Sequence, residues 1–360
     1  MKKPKVLAIY LPQFHRIKEN DEWWGKGFTE WNVVRNAKKI SKYNIQPRVP
    51  LMGYYDLSKK DDINKQALLA KKYNIDGFLM YMYYSNGELL LEKPMQIILN
   101  NPDIEIEYCF SWANHDWKRT WFEYNTEMLR KQEYGETDEQ IEQHFNYMLP
   151  YFKDKRYIKK DNKPVFYIYD YNHIKNIRDY KRIWNDLAIK NGFDGIFLVQ
   201  TLGGHCLEWN NSIFEACFDF EPTYTTSSNM KYENIKNKFR RLYKRNFKNK
   251  KIISNVFDYD KVCNQIENRE CTNPNHNLGI FAEWDNSPRH KDNSTIFKNF
   301  SVERFKKCFE NQYKKSLDFK KDFLIIDAWN EWGEGAFIEP DHIFDYGKLE
   351  SISDVIDKFK

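Results

Sequence analysis

Residues Asp322–Asp341, DFLIIDAWNEWGEGAFIEPD, join two signals that rarely meet in one segment. Phe323–Asp327 is an apolar run of strand length, as a strand buried on both faces requires. Within a dozen residues the chain then turns to two Trp, two Gly and the carboxylates Glu331, Glu334 and Glu339. Acidic side chains are rarely buried unless paired, so their place directly after an apolar strand points to a site. Glu331 and Glu334 are three residues apart and can converge on one substrate from a single turn. Paired carboxylates beside aromatic walls are the usual apparatus of glycosidic-bond chemistry. The structural alternative is a solvated loop with its Trp rings packed beneath it.

Working outward from this segment, apolar runs of strand length recur along the chain. They are Val6–Leu11, Asp76–Tyr84, Ile106–Trp112, Pro164–Tyr171, Gly195–Thr201, Cys217–Glu221, Leu278–Trp284 and Phe323–Trp329. Helical patterns lie between them at Asp61–Tyr73, Lys93–Asn100, Asp138–Phe152, Arg178–Asn191 and Val302–Lys315. Strands alternating with helices imply parallel pairing through right-handed crossovers. Eight such units predict an α/β chain folded as a (β/α)8 TIM barrel, one domain over residues 1–360. Polar and aromatic residues follow nearly every strand: Gln13 and His15, Tyr83 and Tyr84, then Asn114, His115 and Asp116. Asp170 and Tyr171, Gln200 and His205, Glu221 and Tyr224, and Glu283, Trp284 and Asp285 continue the pattern before Asn330, Glu331 and Glu334. In a barrel these positions share the carboxyl-terminal face, where catalytic groups collect. No GxGxxG or P-loop follows the first strand, which argues against a nucleotide fold.

Composition narrows the function further. Hydrophobic content of 41% supports a substantial core rather than disorder. A net charge of +5, spread over many charges of both signs, does not point to nucleic acid. Twenty-four Tyr and eleven Trp suit stacking on sugar faces, although biased codon usage produces the same enrichment. The start MKKPKVLAIYLPQF has a basic then an apolar stretch, but the run is short and Pro12, Gln13 and His15 interrupt it. No stretch reaches the length of a membrane span, so a cytoplasmic location is expected. Six Cys without CxxC spacing are expected to be free thiols, with no metal or cofactor among the expectations.

Two segments stand outside the repeat. Residues Glu19–Pro50 form a long Trp-rich insertion after the first strand, and connections of that length are usually functional; the alternative is a plug over the barrel top. Lys231–Lys251, KYENIKNKFRRLYKRNFKNKK, is densely basic, with Ile235, Phe239, Leu242, Tyr243 and Phe247 at helical spacing. Such a helix suits an anionic membrane surface or a lipid-pyrophosphate carrier, and equally a solvated helix in a Lys-rich protein.

Five segments in order, YLPQFHRIKENDEWWGKGFTEW, QPRVPLMGYYDL, FSWANHDWKRTW, EWDNSPRH and AWNEWGEGAFIEPD, resemble the motifs of the WbsX-like proteins. That family belongs to bacterial O-antigen and capsule gene clusters and is related to glycoside hydrolase family 99. The resemblance covers about Lys5 to Asp341 and implies a (β/α)8 barrel. The family 99 endo-α-mannosidases carry a Glu-Trp-x-Glu-Gly element, here Glu331-Trp332-Gly333-Glu334-Gly335. By resemblance, Glu331 is the base acting on the substrate's 2-hydroxyl, whose oxygen attacks the anomeric carbon to give a 1,2-anhydro sugar. Glu334 is then the acid for the leaving oxygen and the base for the incoming acceptor. The resemblance also implies sugar contacts from Trp112, Asn114, Asp116, Trp117, Trp284, Asp285, Asn330 and Trp332, with Tyr10, Gln13, Trp31 and Tyr83 beside them; any of the rings can equally be core. Many WbsX-like chains read Ala-Asn-Glu-Asn-Trp where this one has Ala113-Asn114-His115-Asp116-Trp117, a departure that bears on substrate identity.

Three functions compete. One is a retaining hydrolase or transglycosylase of α-linked, mannoside-type glycans, acting on an oligosaccharide or a lipid-linked glycan. A second is a nucleotide-sugar glycosyltransferase of lipopolysaccharide biosynthesis, for which Asp258-Tyr259-Asp260 supplies the letters of a metal-binding Asp-x-Asp. The third is a non-catalytic glycan-binding barrel.

Overall fold

The computed structural model describes residues 3–119, 127–246 and 252–360. Eight parallel strands form its centre: β1 (Lys5–Tyr10), β2 (Gly77–Ser85), β3 (Glu107–Trp112), β4 (Lys163–Ile168), β5 (Phe197–Leu202), β6 (Ala216–Asp219), β7 (His276–Phe281) and β8 (Phe323–Asp327). Each pairs with its sequence neighbours, and β1 pairs with both β8 and β2, which closes the sheet. Ala8 is opposite Ile326 on one side and Phe78 on the other. All eight expected strands are present, and the fold is the (β/α)8 barrel read from the sequence.

The strands are near-continuous apolar runs because both of their faces are covered. Tyr10, Phe78 and Trp329 fill the space near the mouth, with ring centroids 4.7 and 5.3 Å apart along that row. The surrounding helices are α1 (Lys60–Lys72), α2 (Lys93–Asn100), α3 (Asp138–Lys153), α4 (Ile177–Lys190), α5 (Tyr259–Asn268), α6 (Val302–Asp318) and α7 (Gly347–Lys358). The first four and α6 match the helical patterns above; α5 and α7 are additional. Local chemistry sets their starts. Thr137 and Gln140 form a capping box at α3, and the Ser301 hydroxyl accepts from the Arg304 amide at 3.2 Å to open α6.

The insertion after β1 straps the mouth. It contains short helices at Lys18–Trp24 and Glu30–Arg35 and then runs across the ends of β7 and β8. Asn44 reaches Ser287 at 3.3 Å, Gln46 reaches Asp285 at 3.0 Å, and Pro50 bridges to Asp341. A fully buried network fixes the strap: Arg48 binds Glu283 at 2.6 Å and also Asp341, while Lys348 from α7 binds Glu283 at 2.7 Å and the Phe337 carbonyl at 2.7 Å. The insertion thus covers the barrel mouth and is tied to it by buried side chains. A helix at Lys231–Asn246 in the β6–β7 connection stands outside the barrel, as does a two-stranded parallel sheet that pairs Asn255–Asp258 of that connection with Thr295–Lys298 of the β7–β8 connection. Phe247 and the rest of the basic segment through residue 251 lie outside the described residues, as do Thr120 and Trp121 of the FSWANHDWKRTW motif.

Candidate active site

Beyond β8 the chain makes a tight ladder, Asn330–Glu331 against Ala336–Phe337, with a single 3-10 turn at Trp332–Glu334 between them. This turn aims Glu331 and Glu334 at one partner, Arg289. The guanidinium donates through Nη2 to Glu331 at 3.2 Å, through Nη1 to Glu334, and through Nε to Glu30 at 2.8 Å. Three loops thus meet on one cation: the β1 insertion, the loop after β7 and the loop after β8. Glu30 is fully enclosed, Glu331 keeps 11% of its side chain exposed and Glu334 keeps 23%, so access to the mouth grows along that series.

Gly333 makes the convergence possible. A Cβ there would lie 1.8 Å from the Glu30 carboxylate and 2.7 Å from Arg289 Nε. Gly335 has a positive φ of 63° and closes against the Asp285 backbone, where a Cβ would come within 2.8 Å. Both glycines of the Glu-Trp-Gly-Glu-Gly element are therefore demanded by close approach.

The cluster holds more carboxylates than cations. Burial pushes the Glu331 carboxyl up to about 8 against the opposing pull of Arg289, with Glu334 and Glu30 adding to the rise. Burial also raises Glu30, again opposed by Arg289. Asp327, at the end of β8, is driven well above the carboxylate range by burial and then by Glu331, Glu334 and Glu221. Its Oδ2 has no hydrogen-bond partner. Burial and mutual repulsion thus favour the protonated forms of Glu331, Glu30 and Asp327, and such raised carboxyls cluster at functional sites.

The walls are aromatic. Tyr81 and Tyr169 face each other edge-on at 6.5 Å, and both feel the charge of Glu331. His205 stacks on Tyr169 at 4.9 Å, and His115 lies 5.8 Å from the same ring. Tyr83 accepts from Gln13 at 3.0 Å and packs edge-on against Trp117 at 5.0 Å; Trp117 in turn meets Trp23 at 5.7 Å. Tyr83, Gln13 and Trp117 thus line one side, with Trp117 half-buried. Asp116 receives the Gln132 amide at 2.9 Å at the rim of a cleft of 1010 Å³ that His115 and Tyr134 also line.

Other expected contacts are placed deeper. Trp112 is buried, with its indole N–H on the Tyr84 carbonyl at 2.8 Å. Asn114 is buried and exchanges hydrogen bonds with the Asp170 backbone. Asn330 clamps the Leu11 backbone, accepting at 2.7 Å and donating at 3.0 Å. Trp31 donates to the Tyr55 carbonyl at 2.7 Å, and Trp332 stacks on Phe337 at 3.7 Å while donating to Glu339. Tyr10 is enclosed in the barrel. Asp285 is held by Gln46 and by the Ser287 amide, each at 3.0 Å, and Trp284 is half-buried against the core. Glu339, bound by Tyr55 at 2.8 Å, belongs to the scaffold.

Glu30, Arg289, Asp327, Tyr81 and Tyr169 were not singled out from the sequence. Glu30 and Arg289 both lie inside the quoted motifs, and three carboxylates in one segment demand a counter-charge; that was the available signal.

A family model described as glycosyltransferase WbsX matches residues 6–352. The chain belongs to the WbsX family. Two relatives of the WbsX chain, both called uncharacterized protein WxcX and from two strains of Xanthomonas campestris pv. campestris, are each 29% identical over 350 residues. The match takes in 96% of this chain and 48% of theirs, so the chain spans about half the length of the curated relatives it matches. Among solved structures, a glycoside hydrolase-like protein aligns with a TM-score of 0.63 at 15% identity, over 99% of this WbsX chain and 94% of that one. The GH99 endo-alpha-mannosidase from Bacteroides thetaiotaomicron aligns with a TM-score of 0.57 at 12% identity, over 99% and 97%. At these identities the likeness is one of fold: the WbsX chain shares the barrel architecture of those structures.

Proposed function

We propose that this chain processes α-linked, mannoside-type glycans of bacterial surface polysaccharide as a retaining glycoside hydrolase or transglycosylase. The observation that carries this reading is the pair Glu331 and Glu334 held on one buried guanidinium at the carboxyl-terminal end of β8. Glu331, the more enclosed of the two, takes the proton from the sugar's 2-hydroxyl; the freed oxygen attacks the anomeric carbon as the glycosidic bond breaks. Glu334, nearer the mouth, gives its proton to the departing oxygen, then takes one from the water or sugar hydroxyl that opens the 1,2-anhydro ring. A carboxylate with a raised pKa is a stronger base than an ordinary one, which suits removal of a hydroxyl proton. The same elevation leaves Glu331 largely protonated at neutral pH, so its ionisation limits the rate from the acid side. Arg289 positions both carboxylates and tempers their repulsion.

The test is a panel of α-linked oligosaccharides and surface polysaccharides with wild type, Glu331→Gln and Glu334→Gln, in EDTA and without nucleotide sugars. Product from wild type alone is expected. Turnover only on adding a nucleotide sugar and a divalent metal would replace this reading with the transferase named by the family model. For that alternative the Asp-x-Asp letters are poorly placed. Asp258 is 3.3 Å from Lys298, Asp260 binds Arg304 at 2.5 Å, and Tyr259 between them is buried.

A further inference from the structure

The helix Lys231–Asn246 is mounted the wrong way round for a barrel helix. An amphipathic surface helix ordinarily turns its apolar stripe to the core. Here the polar side faces the protein. Asn237 is buried and accepts from the Val256 amide at 3.0 Å, Glu233 pairs with Lys261 at 3.1 Å, and Lys244 pairs with Asp292 at 2.9 Å. The apolar stripe points to solvent: Tyr232, Ile235, Phe239 and Leu242 are 62, 53, 67 and 39% exposed. These four follow the i, i+3, i+7, i+10 pattern, so they form one continuous ridge.

Cations flank the ridge on both sides. On helical geometry Lys236 and Arg240 border it on one edge and Lys231, Lys238 and Arg245 on the other. Lys236 also lies over the Tyr232 ring at 4.1 Å. Arg240 is 6.0 Å from the ring of Tyr43 in the β1 insertion, where Lys38, Lys39 and Lys42 extend the basic surface.

We propose that this face docks the protein on a bilayer containing anionic phospholipid, with the ridge entering the interfacial layer and the flanking cations meeting headgroup phosphates. A bulky apolar ridge between two basic edges is the arrangement an interfacial helix needs. Nucleic acid would use the cations but leave Phe239 and Ile235 without a role. No helix among the described residues is long and apolar enough to cross a membrane, so the attachment is peripheral in kind. The face is tied to the site: Asp292, which holds Lys244, follows by three residues the Arg289 that holds Glu331 and Glu334. Docking here would bring the element that adjoins the Arg289 loop to the membrane surface, where a glycan carried on a lipid would be met. That last consequence rests on the reading of Glu331 and Glu334; the docking does not.

The experiment floats the purified chain with vesicles of phosphatidylcholine alone and of phosphatidylcholine with about 30% phosphatidylglycerol, at low and high salt. Co-flotation with the anionic vesicles only, weakened by salt, is expected. Ile235→Asp with Phe239→Asp is expected to lower the bound fraction about tenfold at unchanged circular dichroism. Lys236→Glu is expected to weaken it about fivefold. Absence of flotation, or equal flotation of the Asp variant, overturns the proposal. Sedimentation velocity and RNA retention on the same samples name the replacement. A dimer dissolved by the Asp variant assigns the face to a second copy, and retention on RNA with none on vesicles assigns it to nucleic acid. Either result overturns membrane docking whether or not the chain turns over a glycan.

Discussion

Two ion clusters lie side by side at the mouth, and they are built on opposite principles. Arg48 and Lys348 meet Glu283 and Asp341, two cations against two carboxylates, with every member buried. Among the described residues one cation, Arg289, meets Glu30, Glu331 and Glu334, with Asp327 close behind. The balanced cluster ties strap, strand end and last helix together and leaves no charge to spare. The unbalanced one cannot have all its carboxylates ionised cheaply, and burial raises Glu30, Glu331 and Asp327 together. Burial is similar in both; stoichiometry separates them, and the proposed function places its chemistry at the unbalanced one.

The strongest way to break this contrast is at the unbalanced cluster. Glu331→Gln and Glu334→Gln are each expected to lower turnover by about 10²–10⁴-fold while leaving the melting temperature at or above that of wild type. A variant that loses stability instead would make Glu331 or Glu334 part of the scaffold. Next in size, Lys348→Met leaves Glu283 and Asp341 to share Arg48 and is expected to cost about 3–5 kcal/mol in chemical denaturation, with turnover per folded molecule retained. Gly333→Ala, which forces Glu30 and Arg289 apart, is expected to cost about 1–3 kcal/mol and to lower kcat as well; a neutral result would show that the cluster relaxes freely.

The smallest effect sharpens the comparison most. The acid limb of kcat/KM is expected to rise with pH through about 8, following ionisation of Glu331. Glu30→Gln removes a charge that raises Glu331, so the limb should move to lower pH; a limb that stays in place disconnects the two. Stability carries the opposite sign. The folded value for Glu331 lies above its ordinary 4.5, so folding favours the protonated form. Its contribution therefore declines as pH rises from about 4.5 through 8, and Glu331→Gln should flatten that part of the profile.

The barrel was legible because its strands are buried on both faces and so appear as uninterrupted apolar runs, Gly77–Ser85 most clearly. Glu331 and Glu334 stood out because a carboxylate pair directly after such a run has no packing purpose. Glu30 did not, since a lone Glu at the start of a short helix looks solvated until a guanidinium 259 residues away is seen to cover it. Tyr81 and Tyr169 were read as strand residues; alternation alone does not say which end of a strand opens on a site. The Trp residues were open to either reading from the sequence. Trp31, Trp112 and Trp332 have the composition of a sugar platform, yet in the fold they wedge strap, strands and loop together through their N–H groups.

The missing side chain at Gly333 has a consequence for anyone recombining these proteins. Its vacancy is filled by a carboxylate from the β1 strap and a guanidinium from the β7 loop, so no one of the three loops has a shape of its own to donate. Exchanging a single loop with a relative should yield a folded but inert hybrid, whereas moving all three as a cassette should carry specificity with it. The heritable unit of this site is a junction, not a segment.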